Sequence, residues 1–427
     1  MKRVLIITYY WPPAGGPGVQ RWLNFVKYFR DFDIEPIVYG PENPHYPLVD
    51  DSFVNEIPSD IEILKLPVKE PYKLASVLSK KKTKQISSGI ISEKKTTFLE
   101  KLMLFVRGNF FIPDARIGWV KPSVAYLSNY INENKVDAIV TTGPPHSLHL
   151  IGLALQDEFK TPWIADFRDP WTTIHYHKSL RLTKASAKKH KQLEAKVLNA
   201  ADQIVVTSKT TKREFQKITD KPIEVITNGY ENSELTEYTP DPTFSIAHIG
   251  SLLSERNPIS LWRVLSKLSS EMTDFRDDLK IKLAGTISSE ILKSLEEHGL
   301  SENTDNLGYV SHSEAIKLQH SSQILLLVEI DRPETRSIIP GKLFEYLAAK
   351  RPILAIGPGG SDMEDIIVET KSGNFFTPGD EVQMERTVRK LYERFKTQGL
   401  QVNSIGIEKY SRRELTRSMA ELILSNT

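Results

Sequence analysis

Short apolar runs rich in β-branched residues alternate with longer amphipathic segments along most of this 427-residue chain. The apolar runs predict two successive sets of strands. The first set is Val4–Thr8, Ile34–Tyr39, Ala138–Thr142, Trp163–Asp166, Gln203–Thr207 and Ile223–Thr227. The second set is Ser245–Ile249, Lys280–Ala284, Ile324–Val328, Ile353–Ile356 and Gly373–Phe376. Alternation of strands and helices is typical of parallel sheets that carry helices on both faces.

Helical periodicity separates these strands, and it predicts helices at Val19–Arg30, Ser147–Phe159, Ala185–Ala200, Pro258–Leu268 and Lys342–Ala349. We therefore expect an α/β protein with two doubly wound, Rossmann-like domains that face each other across a cleft. The polar stretch Glu231–Pro242 is the best boundary. It predicts domains over 1–238 and 239–405, followed by a C-terminal helix in 406–427 that packs back on the first domain.

Composition narrows the chemistry only a little. The net charge of +2 gives no argument for nucleic-acid binding, and the absence of cysteine excludes disulfides, thiolate catalysis and cysteine zinc sites. The N-terminal apolar run Val4–Ile7 is too short for a signal peptide, and no apolar run approaches the ~20 residues of a membrane span. We expect a cytoplasmic protein.

Two basic segments depart from the regular pattern. Lys80–Lys84 precedes an aromatic and aliphatic segment at Phe98–Ile112, and a second basic run covers Lys178–Lys196. Charge runs of this kind are often solvated helix faces. The alternative is a docking face for anionic membrane lipids or a lipid-linked acceptor, because basic residues beside exposed aromatics favour interfacial binding. That alternative predicts a peripheral protein on the inner face of the cytoplasmic membrane.

Two loops of the first half connect a strand to a helix. The glycine-rich loop Trp11–Gly18 lets the backbone approach a ligand, and the next helix presents free N–H groups to an anion. We therefore expect Gly15 and Gly16 to contact a ligand, unless the loop is only a tight turn. The loop Thr141–Ser147 holds His146 at the carboxyl edge of the sheet, where it either faces the ligand or caps the turn.

A third loop ends a strand with two acids and a base, Asp166, Arg168 and Asp169. The acids are candidates for orienting acceptor hydroxyls. An internal ion pair with Arg168 is the commoner fate of such a trio.

The second half offers groups suited to a diphosphate. Gly250 ends its first strand, and Arg256 follows before a helix, where a guanidinium fork matches phosphate oxygens. Gly341 and Lys342 open another helix, so backbone N–H groups and a positive charge coincide. Glu345 lies one turn further on and is suited to accept hydrogen bonds from ribose hydroxyls, unless it faces solvent.

Together these segments resemble the retaining GT-B glycosyltransferases of family four over nearly the whole chain. The matching stretches are the Gly15-Gly16 loop, Pro144–Ser147, Ala165–Trp171, Val225–Gly229, Asn306–Val310 and Gly341–Leu347. The resemblance implies transfer of a sugar from a nucleoside-diphosphate sugar to a glycan or lipid-linked acceptor in cell-surface polysaccharide biosynthesis. It implies no metal and no cofactor, since the donor, a UDP- or GDP-sugar, is a co-substrate.

The resemblance also assigns roles to single residues. Tyr309 and Val310 are expected near the nucleobase, and Glu345 near the ribose. The diphosphate is expected at a larger set, Gly15, Gly16, Gly250, Arg256, Gly341 and Lys342. The catalytic candidates are His146, Asp169, Arg256 and Lys342, with Asp166, Arg168 and Asp169 on the acceptor side.

Two departures from the family pattern concern the donor. The family has a pair of glutamates eight residues apart, and here Ser337 occupies the first place while Glu345 keeps the second. Glu334 is a candidate substitute. Ser251 stands where the family often has an arginine.

Two rival functions remain open: a nucleotide-sugar 2-epimerase of the same fold, and a non-catalytic two-lobed nucleotide- or sugar-binding protein. A metal-dependent transferase would need an Asp-x-Asp motif at the end of a strand. The sequence Asp31-Phe32-Asp33 falls between a helix and a strand and reads as a turn.

Overall fold

The computed structural model describes residues 1–68, 98–231 and 238–427. These residues form two compact units. The first comprises Met1–Asn228 together with Arg412–Thr427, and the second comprises Gly229–Ser411. The chain thus passes from the first unit to the second after Asn228, rather than at the predicted residue 238.

The first unit is built on a parallel sheet of seven strands. They are β1 Lys2–Ile7, β2 Ile34–Pro41, β3 Glu62–Leu66, β4 Ala138–Gly143, β5 Trp163–Phe167, β6 Gln203–Val206 and β7 Ile223–Val225. Its helices are α1 Pro17–Tyr28, α2 Phe98–Phe110, α3 Ile117–Glu133, α4 Ser147–Phe159, α5 Lys184–Ala200, α6 Lys209–Phe215 and, from the end of the chain, α14 Arg412–Ser425. Short 3₁₀ helices cover Phe29–Phe32, Asp51–Glu56 and His175–Leu180.

The strand order in this sheet is β3-β2-β1-β4-β5-β6-β7. Strand β4 is buried along its whole length, as expected for a central strand covered by helices on both faces. The order reverses direction between β1 and β4, which pair from Val4↔Ala138 to Ile7↔Thr141. In open parallel sheets ligands bind at such a switch point, outside the carboxyl ends of the strands. The loops that follow β1 and β4 therefore define the candidate site of this unit.

The second unit has a parallel sheet of six strands. They are β8 Phe244–Ile249, β9 Leu279–Ala284, β10 Thr304–Gly308, β11 Ile324–Val328, β12 Ile353–Ile356 and β13 Gly373–Phe376. Its helices are α7 Ile259–Glu271, α8 Thr273–Asp278, α9 Ser289–Glu297, α10 His312–Ser321, α11 Lys342–Ala349, α12 Asp362–Thr370 and α13 Glu381–Thr397. Short 3₁₀ helices cover Ser254–Arg256, Ser301–Asn303, Pro333–Thr335 and Glu408–Tyr410.

The strand order here is β10-β9-β8-β11-β12-β13, so the switch point lies between β8 and β11. Both strands are fully buried, and their side chains join the cores on the two faces of the sheet. The loops after Ile249 and Val328 define the candidate site of this unit.

The predicted fold class is confirmed. Two strands escaped prediction: β3 lies at the edge of its sheet and is half-exposed, and β10 (Thr-Asp-Asn-Leu-Gly) has little β-forming character. The Asp31–Asp33 segment lies between α1 and β2, as predicted. It ends a 3₁₀ helix, and Asp33 takes a left-handed conformation with φ 60°.

Candidate functional site

The switch point of the second unit places Gly250, Lys342 and Glu329 near one another. Gly250 directly follows β8, Glu329 directly follows β11, and Lys342 begins α11. Gly250 has φ 119°, and a Cβ added to it would lie 2.7 Å from the Lys342 Nζ. Only glycine therefore combines this backbone conformation with room for the lysine.

Lys342 contacts a buried histidine at the end of β8. The Nδ1 of His248 donates to the Leu326 carbonyl at 3.0 Å, which leaves Nε2 to accept from the Lys342 Nζ at 3.1 Å. Burial and the Lys342 charge hold the pKa of His248 well below its usual range, in keeping with a neutral acceptor. Burial and the charge of Arg256 also lower the pKa of Lys342 to about 8.

Arg256 is held by a buried carboxylate. Its Nε and Nη2 donate to the Glu329 Oε1 at 3.2 and 2.9 Å, and Nη2 also donates to Oε2 at 3.2 Å. The Glu329 side chain is 2% exposed, whereas that of Arg256 is 28% exposed. The arginine is thus anchored from inside the unit and remains accessible to solvent.

Glu345 lies on α11, one turn after Lys342, and is half-buried. Its Oε2 accepts a hydrogen bond from the Nε2 of the buried Gln319 at 2.8 Å. A fixed carboxylate of this kind is suited to accept from a vicinal diol, because it loses little side-chain freedom on binding. The alternative of a freely solvated glutamate does not describe this side chain.

The other predicted donor residues lie in loops. Tyr309 follows β10 and is 93% exposed, and Val310 packs partly against the core. Gly341 directly precedes α11, and a Cβ placed there would meet nothing. Their predicted contacts with the nucleobase and phosphates stay predictions.

The departures from the family pattern also lie near this region of the chain. Ser337 is half-buried between the 3₁₀ helix Pro333–Thr335 and α11, and Glu334 is half-buried within that 3₁₀ helix. Ser251 is exposed after Gly250. The substitution of Glu334 for the first family glutamate stays a prediction.

In the first unit, the loop after β1 is held by a neighbouring segment. The Gly15 N–H donates to the Leu48 carbonyl at 2.9 Å, and Ala14 forms an antiparallel bridge with Val49. A Cβ on Gly15 would lie 2.8 Å from the Leu48 Cγ, so this glycine makes room for a side chain of its own unit. Gly16 has φ 95° and precedes α1.

His146 lies at the start of α4 and is buried. Its ring stacks on Trp171 with centroids 5.0 Å apart and planes 3° from parallel. Burial, and then the charge on nearby histidines and Arg168, hold its pKa well below the usual range. Neither ring nitrogen has a hydrogen-bond partner among the residues that the structure describes. A neutral imidazole with both nitrogens unused is a candidate for bonding to a ligand hydroxyl.

Asp166 does not fit the acceptor-side role predicted for it. It is fully buried and accepts hydrogen bonds from Arg21 at 2.8 Å, from the Trp22 Nε1 at 2.8 Å and from the Thr142 hydroxyl at 2.8 Å. Burial raises its pKa, but the charge and hydrogen bonds of Arg21 outweigh this and hold the pKa below the usual range. The carboxylate therefore forms an internal ion pair, and its partner is Arg21 instead of Arg168.

Arg168 and Asp169 lie nearer the surface and pair with each other at 3.4 Å. The Asp169 side chain is 35% exposed, so it is accessible to an acceptor. Arg168 lies against the first turn of α1, because a Cβ on Gly18 would lie 1.8 Å from its Nη1. Their roles on the acceptor side stay predictions.

Sequence reasoning missed Glu329, and it assigned no role to His248 or Gln319. A usable signal existed for Glu329, since an acid that directly follows a buried strand lies at the carboxyl edge of the sheet. The contacts of His248 and Gln319 depend on α11, which lies far along the chain from His248.

Within residues 1–68, 98–231 and 238–427, no group of three or more histidine, aspartate or glutamate side chains is arranged to hold a metal ion. In the same part of the chain, no helix combines the length and the apolar character needed to cross a bilayer.

Two family models match the chain, one on each half. The model of Glycosyltransferase Family 4 matches residues 92–234, and that of Glycosyl transferases group 1 matches residues 237–398. No curated protein matches the sequence.

Solved structures share the fold at low sequence identity. The apo lipopolysaccharide outer core galactosyltransferase WaaB is 14% identical with a TM-score of 0.61, and the match covers 100% of both chains. WaaG, a glycosyltransferase involved in lipopolysaccharide biosynthesis, is 13% identical with a TM-score of 0.53 and coverage of 98% of this chain and 95% of its own. Anabaena HepE in complex with UDP-glucose is 13% identical with a TM-score of 0.53, covering 100% and 97%.

The two parallel-sheet units and these matches define a glycosyltransferase with the GT-B fold. The match of residues 92–234 to the model of Glycosyltransferase Family 4 agrees with the resemblance that the sequence motifs indicated. The prediction of an enzyme is confirmed, and the non-catalytic alternative is set aside.

Proposed function

We propose that this glycosyltransferase transfers a sugar from a nucleoside-diphosphate sugar, with retention of anomeric configuration and without a metal ion. The observation that carries the proposal is the pair of cations at the switch point of the second unit, Arg256 and Lys342. Departure of a nucleoside diphosphate develops negative charge on its phosphates. Preorganised cations stabilise that charge, which is the part a metal ion plays in other transferases.

The donor is a UDP- or GDP-sugar in this proposal. Glu345, fixed by Gln319, accepts hydrogen bonds from the ribose hydroxyls. The UDP-glucose in the structure of HepE supports a uridine donor. His146 bonds to the transferred sugar or the acceptor, and Asp169 lies on the acceptor side. The acceptor is a glycan or a lipid-linked glycan of cell-surface polysaccharide biosynthesis.

Calorimetric titration with UDP, GDP, ADP and dTDP tests the donor site, first with excess chelator and then with Mg²⁺. We expect one of the four to bind equally well under both conditions. Binding that requires Mg²⁺ would contradict metal independence. No binding to any would contradict the assignment of Arg256, Lys342 and Glu345 to a donor.

A membrane contact is the second part of the proposal, and it concerns the first unit. Along α2, Leu102, Val106 and Phe110 are 47%, 37% and 73% exposed at a spacing of four residues, which places them on one face. An exposed apolar stripe of this kind is suited to the boundary between lipid headgroups and acyl chains.

The basic helix α5 begins next to the C-terminal end of α2. Gly108 of α2 packs on Leu180 and Leu182, and the Asn109 side chain accepts from the Thr183 N–H at 2.8 Å. The only acid of α5, Glu194, is buried and accepts from Thr172. The exposed charge of α5 is therefore positive, from Lys184, Lys188, Lys189, Lys191 and Lys196. The Lys80–Lys84 cluster lies outside the described residues, and of Lys178 only the backbone is described.

Co-sedimentation with lipid vesicles tests this contact. We expect binding to vesicles that contain anionic phosphatidylserine and weak binding to neutral ones, with about 1 kcal/mol lost for each lysine removed. Phe110→Ser and Lys188→Gln should each weaken binding, whereas the control Lys293→Gln on α9 of the second unit should not. Equal binding to both vesicle types would contradict the proposed attraction between the lysines of α5 and anionic lipids.

A further inference from the structure

Glu329 has no role in the proposed reaction so far, although it is among the most buried charged side chains of the second unit. It directly follows β11 at the switch point. A buried carboxylate at a site proposed to bind a diphosphate is unexpected, because like charges repel. Its function therefore has to come from what it contacts.

The contacts of Glu329 divide between its own backbone and Arg256. Its Oε1 accepts from the Ile330 N–H at 2.8 Å, which fixes the carboxylate on the loop after β11. The same oxygen accepts from the Arg256 Nε and Nη2, and Oε2 accepts from Nη2. The carboxylate is therefore rigid, and it occupies one edge of the guanidinium.

A guanidinium has two edges that can bind an anion in bidentate fashion, Nε–Nη2 and Nη1–Nη2. Glu329 occupies the first edge. The Nη1 atom has no hydrogen-bond partner among the described residues, and the Arg256 side chain is part-exposed. The Nη1 group is thus available while the Nε–Nη2 edge is anchored.

We infer that Glu329 is a positioning residue that holds Arg256 by its Nε–Nη2 edge and leaves Nη1 to the donor diphosphate. This inference rests on the proposed donor site. An arginine that is oriented before binding loses less side-chain freedom when the ligand arrives, so orientation raises affinity. The positive charges of Arg256 and Lys342 at the same switch point oppose the repulsion between Glu329 and the diphosphate.

A double-mutant cycle with the nucleoside diphosphate selected by the titration tests the inference. Glu329→Gln keeps the shape of the side chain and an acceptor for Ile330, but places an amide against the Arg256 Nη2. We expect affinity to fall about tenfold in the wild-type background, within the range of couplings between neighbouring residues. In an Arg256→Ala background there is nothing to orient and an anion is removed, so affinity should stay the same or rise.

The matched control is Glu381→Gln on α13, which removes the carboxylate partner of Arg263 on α7. This variant should leave affinity unchanged. Unchanged or tighter binding by Glu329→Gln in the wild-type background would overturn the inference. So would an equal loss in both backgrounds, because Glu329 would then not act through Arg256. Failure of the wild-type protein to bind any of the four nucleotides would instead refute the proposed donor site.

A second variant covers the case in which Glu329→Gln lowers the melting temperature. Glu329→Asp keeps the negative charge but withdraws the carboxylate by one methylene. A positioning role predicts weaker binding for this variant too, whereas binding at the wild-type level would overturn it.

Discussion

Each of the two units has a topological switch point in its sheet, but the side chains that line the two switch points differ in charge. In the first unit the buried charges of Arg21 and Asp166 neutralise each other, and neither side chain is exposed. Near the site lie an uncharged imidazole, His146, stacked on Trp171, and the part-exposed ion pair of Arg168 and Asp169. In the second unit the sheet edge carries two cations, Arg256, which is paired with the buried Glu329, and Lys342. The fold fixes where a ligand binds, and the residues after each strand decide whether it is neutral or anionic.

The largest expected effect tests whether the ion pair of the first unit is structural. Asp166→Ala leaves Arg21 buried without a counter-charge, and breaking a buried pair in this way costs about 3–5 kcal/mol of unfolding free energy. Denaturant unfolding measures it. Asp169→Ala is the matched control, because its pair with Arg168 is part-exposed and should contribute less than about 1 kcal/mol. Equal losses would show that the two acids play the same part.

The next effect separates catalysis from stability in the second unit. Arg256→Ala removes one group that stabilises the leaving diphosphate and should lower the transfer rate by about 10²–10³. Release of the nucleoside diphosphate at saturating donor measures the rate, and a thermal melt measures stability in parallel. Arg263→Ala, which breaks a surface pair with Glu381, should leave the rate unchanged. A rate loss shared by both variants would contradict the special role of Arg256.

Because Lys342 carries a titratable charge, we expect nucleoside diphosphate affinity to depend on pH. We expect no such contribution from the first unit. Its pKa of about 8 lies below the usual value, so the free protein carries the ammonium below pH 8 and loses it above. The terminal phosphate is fully ionised well before that point. Nucleoside diphosphate affinity should therefore fall as pH rises from 8 to 9.5, by up to about tenfold for each pH unit. Lys342→Met should bind weakly with a flat profile, and a wild-type slope in that variant would assign the titration elsewhere.

The smallest effect concerns the ribose. Glu345→Ala should weaken nucleoside diphosphate binding by about five- to tenfold, the loss of roughly one hydrogen bond, and leave the melting temperature nearly unchanged. Calorimetry measures the change. Glu393→Ala, at an exposed position of α13, serves as the control. Unchanged affinity in Glu345→Ala would contradict the placement of the ribose beside Glu345.

Much of this fold could be predicted because its central strands are buried on both faces and read as uninterrupted apolar runs. Strand β11, Ile324–Val328, and helix α4, Ser147–Phe159, were predicted to the residue. Edge strands carry a weaker signal, and β3 was missed for that reason.

The candidate site, too, could be predicted only in part from the sequence. The places of Arg256 and Lys342 follow from the order of strands and loops. The partner of Asp166 does not, because Arg21 lies 145 residues away while Arg168 is a close neighbour in sequence. Contacts between distant segments decide which charges remain available to a ligand, and a single sequence does not record them.

The last helix, α14, has a consequence for how the protein is made. Its Leu415, Met419 and Ile423 join the core on one face of the first sheet, beside Trp22 of α1. Chains fold progressively from the N-terminus as they are synthesised. The part of the apolar face of α1 that α14 covers therefore stays exposed on the ribosome until the whole second unit has been translated. A chain that stopped at Ser411 would expose that face permanently and be prone to aggregate, whereas Gly229–Ser411 is continuous and needs no later residue to complete its core.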